Sequence, residues 1–176
     1  MRSRYRVCEP DRAHFVTATV LEWLPIFTSA ACCEILTNSL EHCRQHKALK
    51  IYGWVILGNH FHAVLAAPDL SGVLRDLKSF TASRILQQLQ TEGREWLLNQ
   101  LQYYRLAHKA QEHQVWQEGS HPQAVMSDEM MRQKLEYLHN NPIERGWVAS
   151  PEHWRYSSAY EWLGGAEPVL RCDGWL

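Results

Sequence analysis

The alternation of apolar and polar side chains predicts several regular elements in the first half of the chain. Residues 14–20 alternate apolar and polar side chains, which is typical of a half-buried strand. Residues 51–57 and 60–65 are rich in β-branched and aromatic side chains, and the turn-forming pair Gly58-Asn59 separates them. Residues 30–45, with Ser29 as a cap, and residues 71–91 carry apolar side chains at helical spacing. The pattern so far is strand, helix, strand, strand, helix.

The second half of the chain adds one more strand and a further helix. Residues 114–117 predict the start of a strand that continues through 124–126, with an irregular edge between them. A helix begins after Ser127, a good N-cap, and we expect Asn140-Asn141-Pro142 to end it, because proline cannot continue a helix. The whole order predicts an α+β fold of the ferredoxin-like (βαββαβ) type, an antiparallel sheet with helices packed on one face.

The chain is interpreted as one domain spanning residues 1–176. Residues 147–176 are aromatic-rich and are expected to pack around the domain as a short C-terminal extension of helices and loops. No apolar run approaches the length of a membrane span, and the N-terminus lacks the apolar segment of a signal peptide. Five cysteines without a C-x-x-C pair are typical of a reducing compartment. We therefore expect a cytoplasmic protein with no membrane partner.

The net charge of −1 does not by itself indicate a nucleic-acid-binding protein. Basic side chains are nevertheless concentrated locally, at the N-terminus and on the second predicted helix, and such patches can bind phosphates. The candidate DNA-binding residues are Arg4, Arg6, Arg75, Lys78 and Arg84. The alternative is an ordinary solvated surface of mixed sign.

Two histidines directly follow the Gly58-Asn59 turn. His60 and His62 are two apart on a predicted strand, so both side chains point to the same face of the sheet. Two imidazoles that converge in this way make half of a metal site. An isolated His-x-His is a weak signal, and the alternative is a hydrogen-bonded core or surface pair.

The last predicted helix carries a tyrosine and an asparagine on one face. Tyr137 and Asn141 are four apart, so they are neighbours if helical geometry persists to that point. A tyrosine phenolate is a competent nucleophile toward phosphorus, and a metal held by two imidazoles and one oxygen ligand can polarise a scissile phosphate. The alternatives are a tyrosine packed at a helix–sheet boundary and an asparagine that only caps the helix.

Several stretches together resemble a known family. The segment Trp54-Val55-Ile56-Leu57-Gly58-Asn59-His60-Phe61-His62 resembles the histidine–hydrophobe–histidine motif of the HUH superfamily. Residues 77–81, Trp116-Gln117 and residues 136–142 resemble, in order and rough spacing, the single-tyrosine transposases. The likeness covers residues 14–160 and is strongest to the REP-associated branch, which is linked to repetitive extragenic palindromes (REP) in bacteria.

This resemblance implies a function and a role for individual residues. His60 and His62 match the metal-binding histidines, Tyr137 matches the nucleophile, and Asn141 stands where the family places a third metal ligand. The implied activity is a metal-dependent endonuclease and strand transferase that cleaves single-stranded DNA at or near palindromic hairpins through a covalent 5′-phosphotyrosine. The implied cofactor is Mg²⁺ or Mn²⁺. The implied partner is single-stranded DNA with a hairpin, bound by a monomer at the nucleoid.

Two other functions remain open from the sequence. Residues 118–123 are less basic than the corresponding stretch of the family, which favours a catalytically silent protein that only binds DNA hairpins. A metal-dependent hydrolase using His60, His62 and an activated water is the other alternative, although it leaves Tyr137 without a role.

Overall fold

The computed structural model describes residues 12–105, 113–120, 122–164 and 167–175. The strands are β1 (His14–Thr19), β2 (Lys50–Leu57), β3 (His60–Ala66) and β4 (Gln123–Ala124). The helices are α1 (Ala30–Lys47), α2 (Leu70–Thr91), α3 (Glu95–Tyr103), α4 (Asp128–Glu144) and α5 (Ala159–Trp162). Short 3-10 turns cover Leu21–Trp23, Ile26–Thr28 and Pro151–His153. Within these described ranges, every helix is too short or too polar to cross a bilayer.

The four strands form one antiparallel sheet in the order β2-β3-β1-β4. This arrangement confirms the predicted antiparallel α+β fold. The two-residue turn Gly58-Asn59 joins β2 to β3, since Leu57 pairs directly with His60. The C-terminal extension covers the outer edge of β2: Ile56 donates its N–H to the Tyr156 carbonyl at 2.8 Å. The extension therefore protects a strand edge that would otherwise be unpaired.

Helices cover both faces of the sheet, so the prediction that all helices pack on one face is wrong. On one face, Phe61 and Leu65 belong to the same apolar cluster as residues of α1 and α2. On the other face, Val55 and Val64 pack with Met131, Leu135 and Leu138 of α4. The physical reason lies in β2 and β3, which carry apolar side chains on both faces: Trp54, Ile56 and Phe61 on one, and Val55, Leu57 and Val64 on the other. Strands of this kind need cover on both sides.

The predicted fourth strand is shorter than expected. Trp116 makes only an isolated bridge with Val20, and β4 is limited to Gln123 and Ala124, which pair with the start of β1. Gly119 and Pro122 lie between the two pairings, and both residue types are common where an edge strand is interrupted.

The predicted end of the last helix is also wrong, because α4 continues past Pro142 to Glu144. Proline lacks an N–H, and in the final turn this removes a single helical bond, that to the Leu138 carbonyl. The next turn closes normally: the Arg145 N–H bonds to the Asn141 carbonyl at 3.3 Å. Asn141 is therefore inside the helix, one turn after Tyr137.

Candidate active site

The hairpin β2–β3 brings the two histidines together on the face covered by α4. The ring centroids of His60 and His62 are 4.7 Å apart, and the two residues are only 3% and 6% exposed. The same-face prediction is confirmed. Phe61 lies on the opposite face, in the cluster formed with α1 and α2.

The Nδ1 atom of each imidazole has a fixed hydrogen-bond partner. Strand pairing places Thr17 opposite His62, and Thr17 Oγ1 lies 2.7 Å from His62 Nδ1. Asn59 Oδ1 lies 2.6 Å from His60 Nδ1, and Asn59 Nδ2 donates to the Trp23 carbonyl at 3.1 Å. When Nδ1 donates its proton, Nε2 keeps its lone pair and becomes the ligand atom. Such partners orient metal-binding histidines in known metal sites.

Burial keeps both imidazoles neutral. It lowers the pKa of His60 to about 4 and the pKa of His62 to about 3. The positive charge of Arg145 lowers both pKa values further, and His62 is also affected by His60 and Lys134. Neutral imidazole is the form that binds a metal, so the pair is ready to bind at neutral pH.

Helix α4 places Tyr137 beside the histidines. The Tyr137 ring centroid is 5.4 Å from that of His62 and 5.8 Å from that of Phe15. Tyr137 is nevertheless 45% exposed, so a substrate can reach it from solvent. One cluster thus contains the predicted nucleophile Tyr137 and the predicted ligands His60 and His62, which precede it by 77 and 75 residues in the chain.

A glycine in β2 allows α4 to lie this close to the sheet. A Cβ atom at Gly53 would overlap the Leu135 side chain and lie 3.3 Å from Leu138 Cδ1. The missing side chain at Gly53 thus leaves room for Leu135 and Leu138 of α4 against β2.

Asn141 is buried one turn after Tyr137, with 4% exposure. Its Nδ2 donates to the Tyr137 carbonyl at 2.9 Å, which leaves Oδ1 as the atom able to bind a cation. Over the described ranges, no group of three or more His, Cys, Asp or Glu side chains is arranged to hold a metal. Two neutral imidazole nitrogens and an amide oxygen are a donor set that fits a divalent cation with several bound waters.

Two cations that the sequence analysis did not single out flank Tyr137 and Asn141. Lys134, Tyr137, Asn141 and Arg145 are spaced three or four apart, so they follow one side of α4. Lys134 Nζ lies 4.8 Å from the centroid of the Phe15 ring, and the Arg145 guanidinium lies 5.6 Å from that of Trp147. The sequence could have identified both cations, because Lys134 is three residues before Tyr137 and Arg145 is eight residues after it, and both spacings fall on the same side of a helix.

Three predicted DNA-binding residues lie among the described ranges, and they are not part of this cluster. Arg75 pairs with Asp76 at 3.1 Å, Lys78 Nζ donates to the Gln117 and Gly119 carbonyls, and Arg84 donates to Gln87. All three basic residues lie on α2, which packs on the sheet face opposite the histidines. Arg4 and Arg6 lie outside the described residues.

Comparisons with known proteins agree with the resemblance seen in the motifs. No family model matches the chain. A candidate REP-associated tyrosine transposase of Haemophilus influenzae is 23% identical over 140 residues, which are 74% of each chain. The REP-associated tyrosine transposase of Escherichia coli is 19% identical over 129 residues, covering 71% of this chain and 63% of the relative.

A solved structure extends the likeness to the fold. A REP-associated tyrosine transposase bound to a REP hairpin superposes with a TM-score of 0.69 at 17% identity, over 100% of this chain and 94% of the other. The resemblance to REP-associated tyrosine transposases is thereby confirmed.

Proposed function

We propose that this protein is a metal-dependent endonuclease and strand transferase that cuts single-stranded DNA at or near palindromic hairpins. The observation that carries the proposal is the position of Tyr137, half-exposed and 5.4 Å from the buried His62 ring. A nucleophile beside a pair of oriented imidazoles fits phosphoryl transfer. The names of the relatives and the hairpin in the similar structure support the same substrate.

His60, His62 and Asn141 would hold the metal, with Mg²⁺ or Mn²⁺ as the ion. When bound, the ion would neutralise negative charge on the scissile phosphate. The protein's own part is to keep both imidazoles neutral and oriented, through burial and through Thr17 and Asn59. Lys134 and Arg145 would bind phosphates on either side of the scissile one.

Tyr137 carries the covalent step. Its deprotonated phenol oxygen forms a bond to phosphorus, and the bond from phosphorus to the 3′-oxygen breaks. The 3′-oxygen takes a proton and leaves as a free hydroxyl, so the DNA 5′ end stays attached to Tyr137. Attack by a 3′-hydroxyl on this phosphotyrosine reverses the chemistry and joins strands. We expect a monomer to perform these steps in the cytoplasm, at the nucleoid.

A hairpin-binding protein without catalysis is the second candidate. It is motivated by the sequence of residues 118–123, which is less basic than the corresponding stretch of the family, and by the net charge of −1. This candidate predicts hairpin binding with no cleavage under any divalent ion. The water-using hydrolase is the third and predicts cleavage that survives Tyr137→Phe.

A cleavage assay distinguishes the three candidates. Single-stranded DNA that contains a palindrome from beside the gene, labelled at its 3′ end, is incubated with the protein and Mn²⁺, and the products are separated on a denaturing protein gel. We expect a labelled band at the mass of the protein that is lost with chelator and in Tyr137→Phe. The matched control is Tyr103→Phe, because Tyr103 is 78% exposed at the end of the distant helix α3. Binding without any labelled band would contradict the proposal.

A further inference from the structure

A strained turn places an exposed tryptophan beside the histidine pair. In the turn Leu21–Trp23, Glu22 has φ 50° and Trp23 has φ 55°. These values lie in the left-handed region, which bulky side chains rarely adopt. Hydrogen bonds hold the turn in place: the Trp23 N–H donates to the Val20 carbonyl at 3.0 Å, and the Trp23 carbonyl accepts from Asn59 Nδ2. Strain of this kind persists only where the surroundings impose it, and it is concentrated at functional sites.

Packing alone does not account for the position of the Trp23 side chain. Its ring centroid is 5.5 Å from that of His60, yet the residue is 55% exposed. More than half of a large aromatic residue is therefore in water at the edge of the candidate active site. Tryptophans that serve only the core are buried to a much greater extent.

The rings around the site follow one another in a fixed order. Trp23 contacts His60, His60 contacts His62, and His62 contacts Tyr137, each with ring centroids less than 6 Å apart. Trp23 and Tyr137 thus contact different members of the histidine pair, Trp23 at His60 and Tyr137 at His62. If the scissile phosphate of a DNA strand lay between the histidines and Tyr137, a neighbouring nucleotide could reach Trp23, which is 5.5 Å from His60.

We propose that Trp23 is a positioning residue that stacks on the base of a nucleotide next to the scissile phosphate. The inference rests on the proposed function and deepens it, since it assigns a contact to an unpaired base. Bases of single-stranded DNA stack on exposed aromatic rings whatever their sequence. The hydrogen bond from Asn59 to the Trp23 carbonyl ties this platform to the same side chain that orients His60.

The test measures stacking directly in full-length protein that cannot cleave. Tyr137→Phe is the parent, EDTA removes metal, and the probe is a hairpin oligonucleotide with a single-stranded tail. The tail carries 2-aminopurine, whose fluorescence is quenched by stacking, at one position at a time. We expect quenching at one tail position with the parent. The double variant with Trp23→Leu in addition should show no quenching, and its affinity for the tailed hairpin should be about tenfold or more lower than that of the parent. Trp23→Phe should retain most of both.

Control variants separate stacking from a purely structural role. Trp96→Leu removes another exposed tryptophan, 60% exposed on α3, and should leave quenching unchanged. Mn²⁺ affinity of Trp23→Leu, measured by calorimetry, should equal that of the parent. A loss of Mn²⁺ affinity with quenching intact would overturn the proposal and make Trp23 a support for His60. Unchanged quenching in Trp23→Leu would overturn it as well. Failure of the parent to bind any hairpin would instead contradict the proposed function, and the stacking role with it.

Discussion

At the scale of single residues, the candidate site depends on the partners of its histidines as much as on the histidines themselves. A lone imidazole can rotate and exchange its tautomer. Asn59 Oδ1 can only accept, so His60 Nδ1 is the donor and Nε2 keeps its lone pair, and Thr17 Oγ1 at 2.7 Å holds the His62 ring in place. Burial then keeps His60 and His62 unprotonated. Orientation and neutrality together preorganise the pair as metal ligands, so that little entropy is lost when a cation binds.

Removal of the Thr17 hydroxyl should weaken metal binding. Thr17→Val keeps the shape of the side chain but loses the bond to His62, and we expect Mn²⁺ affinity to fall by about 10- to 100-fold. Thr17→Ser keeps a hydroxyl at the same position and should retain most of the affinity. Isothermal titration calorimetry measures both variants. Equal affinities for Thr17→Val and the parent protein would show that His62 needs no such support.

At the scale of elements, the site is a junction between the β2–β3 hairpin and α4. The hairpin supplies the histidines, and α4 supplies Tyr137, Asn141 and the two flanking cations. The contact between these elements depends on Gly53 and on Ser158. Ser158 accepts a hydrogen bond from the Trp54 N–H and lies 2.9 Å from His139 Nε2, so it links β2, α4 and the C-terminal extension.

A side chain at Gly53 should displace α4 and impair the transfer to Tyr137. Gly53→Ala introduces overlap with Leu135 in a packed core, which typically costs about 1–3 kcal/mol. We expect a lower urea midpoint, a weaker covalent band with hairpin DNA, and nearly unchanged Mn²⁺ affinity, because the histidines are on the hairpin. Gly174→Ala is the matched control, since a Cβ there meets nothing within 4 Å. Equal effects of the two variants would contradict this interpretation.

The end of α1 offers a stability prediction that is independent of the site. Ala48 caps this helix in the left-handed region with φ 52°, where glycine has no steric cost. Ala48→Gly should therefore raise the free energy of unfolding by about 0.5–1 kcal/mol, which is the strain relieved less the extra freedom of the unfolded chain. Urea denaturation measures the change. A lower midpoint would show that the turn is not strained.

At the scale of the whole molecule, the fold buries three neutral histidines. His60 and His62 lie on the sheet face that α4 covers, and His139 lies on α4 itself. His139 is 8% exposed, and burial lowers its pKa to about 4, as it does for His60 and more strongly for His62. In the unfolded chain these groups have a pKa near 6.5. Below that value the unfolded state binds more protons than the folded state, so stability must fall as pH falls.

The protein should therefore lose stability between pH 6.5 and about 4, by up to about 1.4 kcal/mol per pH unit for each of the three histidines. The free energy of unfolding in urea at pH 7 and at pH 4.5 tests this. His139→Gln keeps a donor toward Ser158 but cannot be protonated, so its pH dependence should be shallower. The same slope in His139→Gln and the parent protein would show that His139 does not contribute.

The sequence by itself determined the features that depend on local spacing. Alternation along β3 put His60 and His62 on one face, and the turn residues Gly58-Asn59 set the hairpin. Helical periodicity put Tyr137 and Asn141 one turn apart. Strand and helix order gave the antiparallel α+β fold, because each element is specified by its own pattern of apolar positions.

Only the tertiary structure decided which elements meet. It placed α4 on the face of the histidines and α2 on the other, away from Tyr137. It also shows that α4 continues past Pro142, that Trp23 contacts His60 and that Thr17 contacts His62. These outcomes depend on packing between residues far apart in the chain and on strand register, and local periodicity carries no information about either.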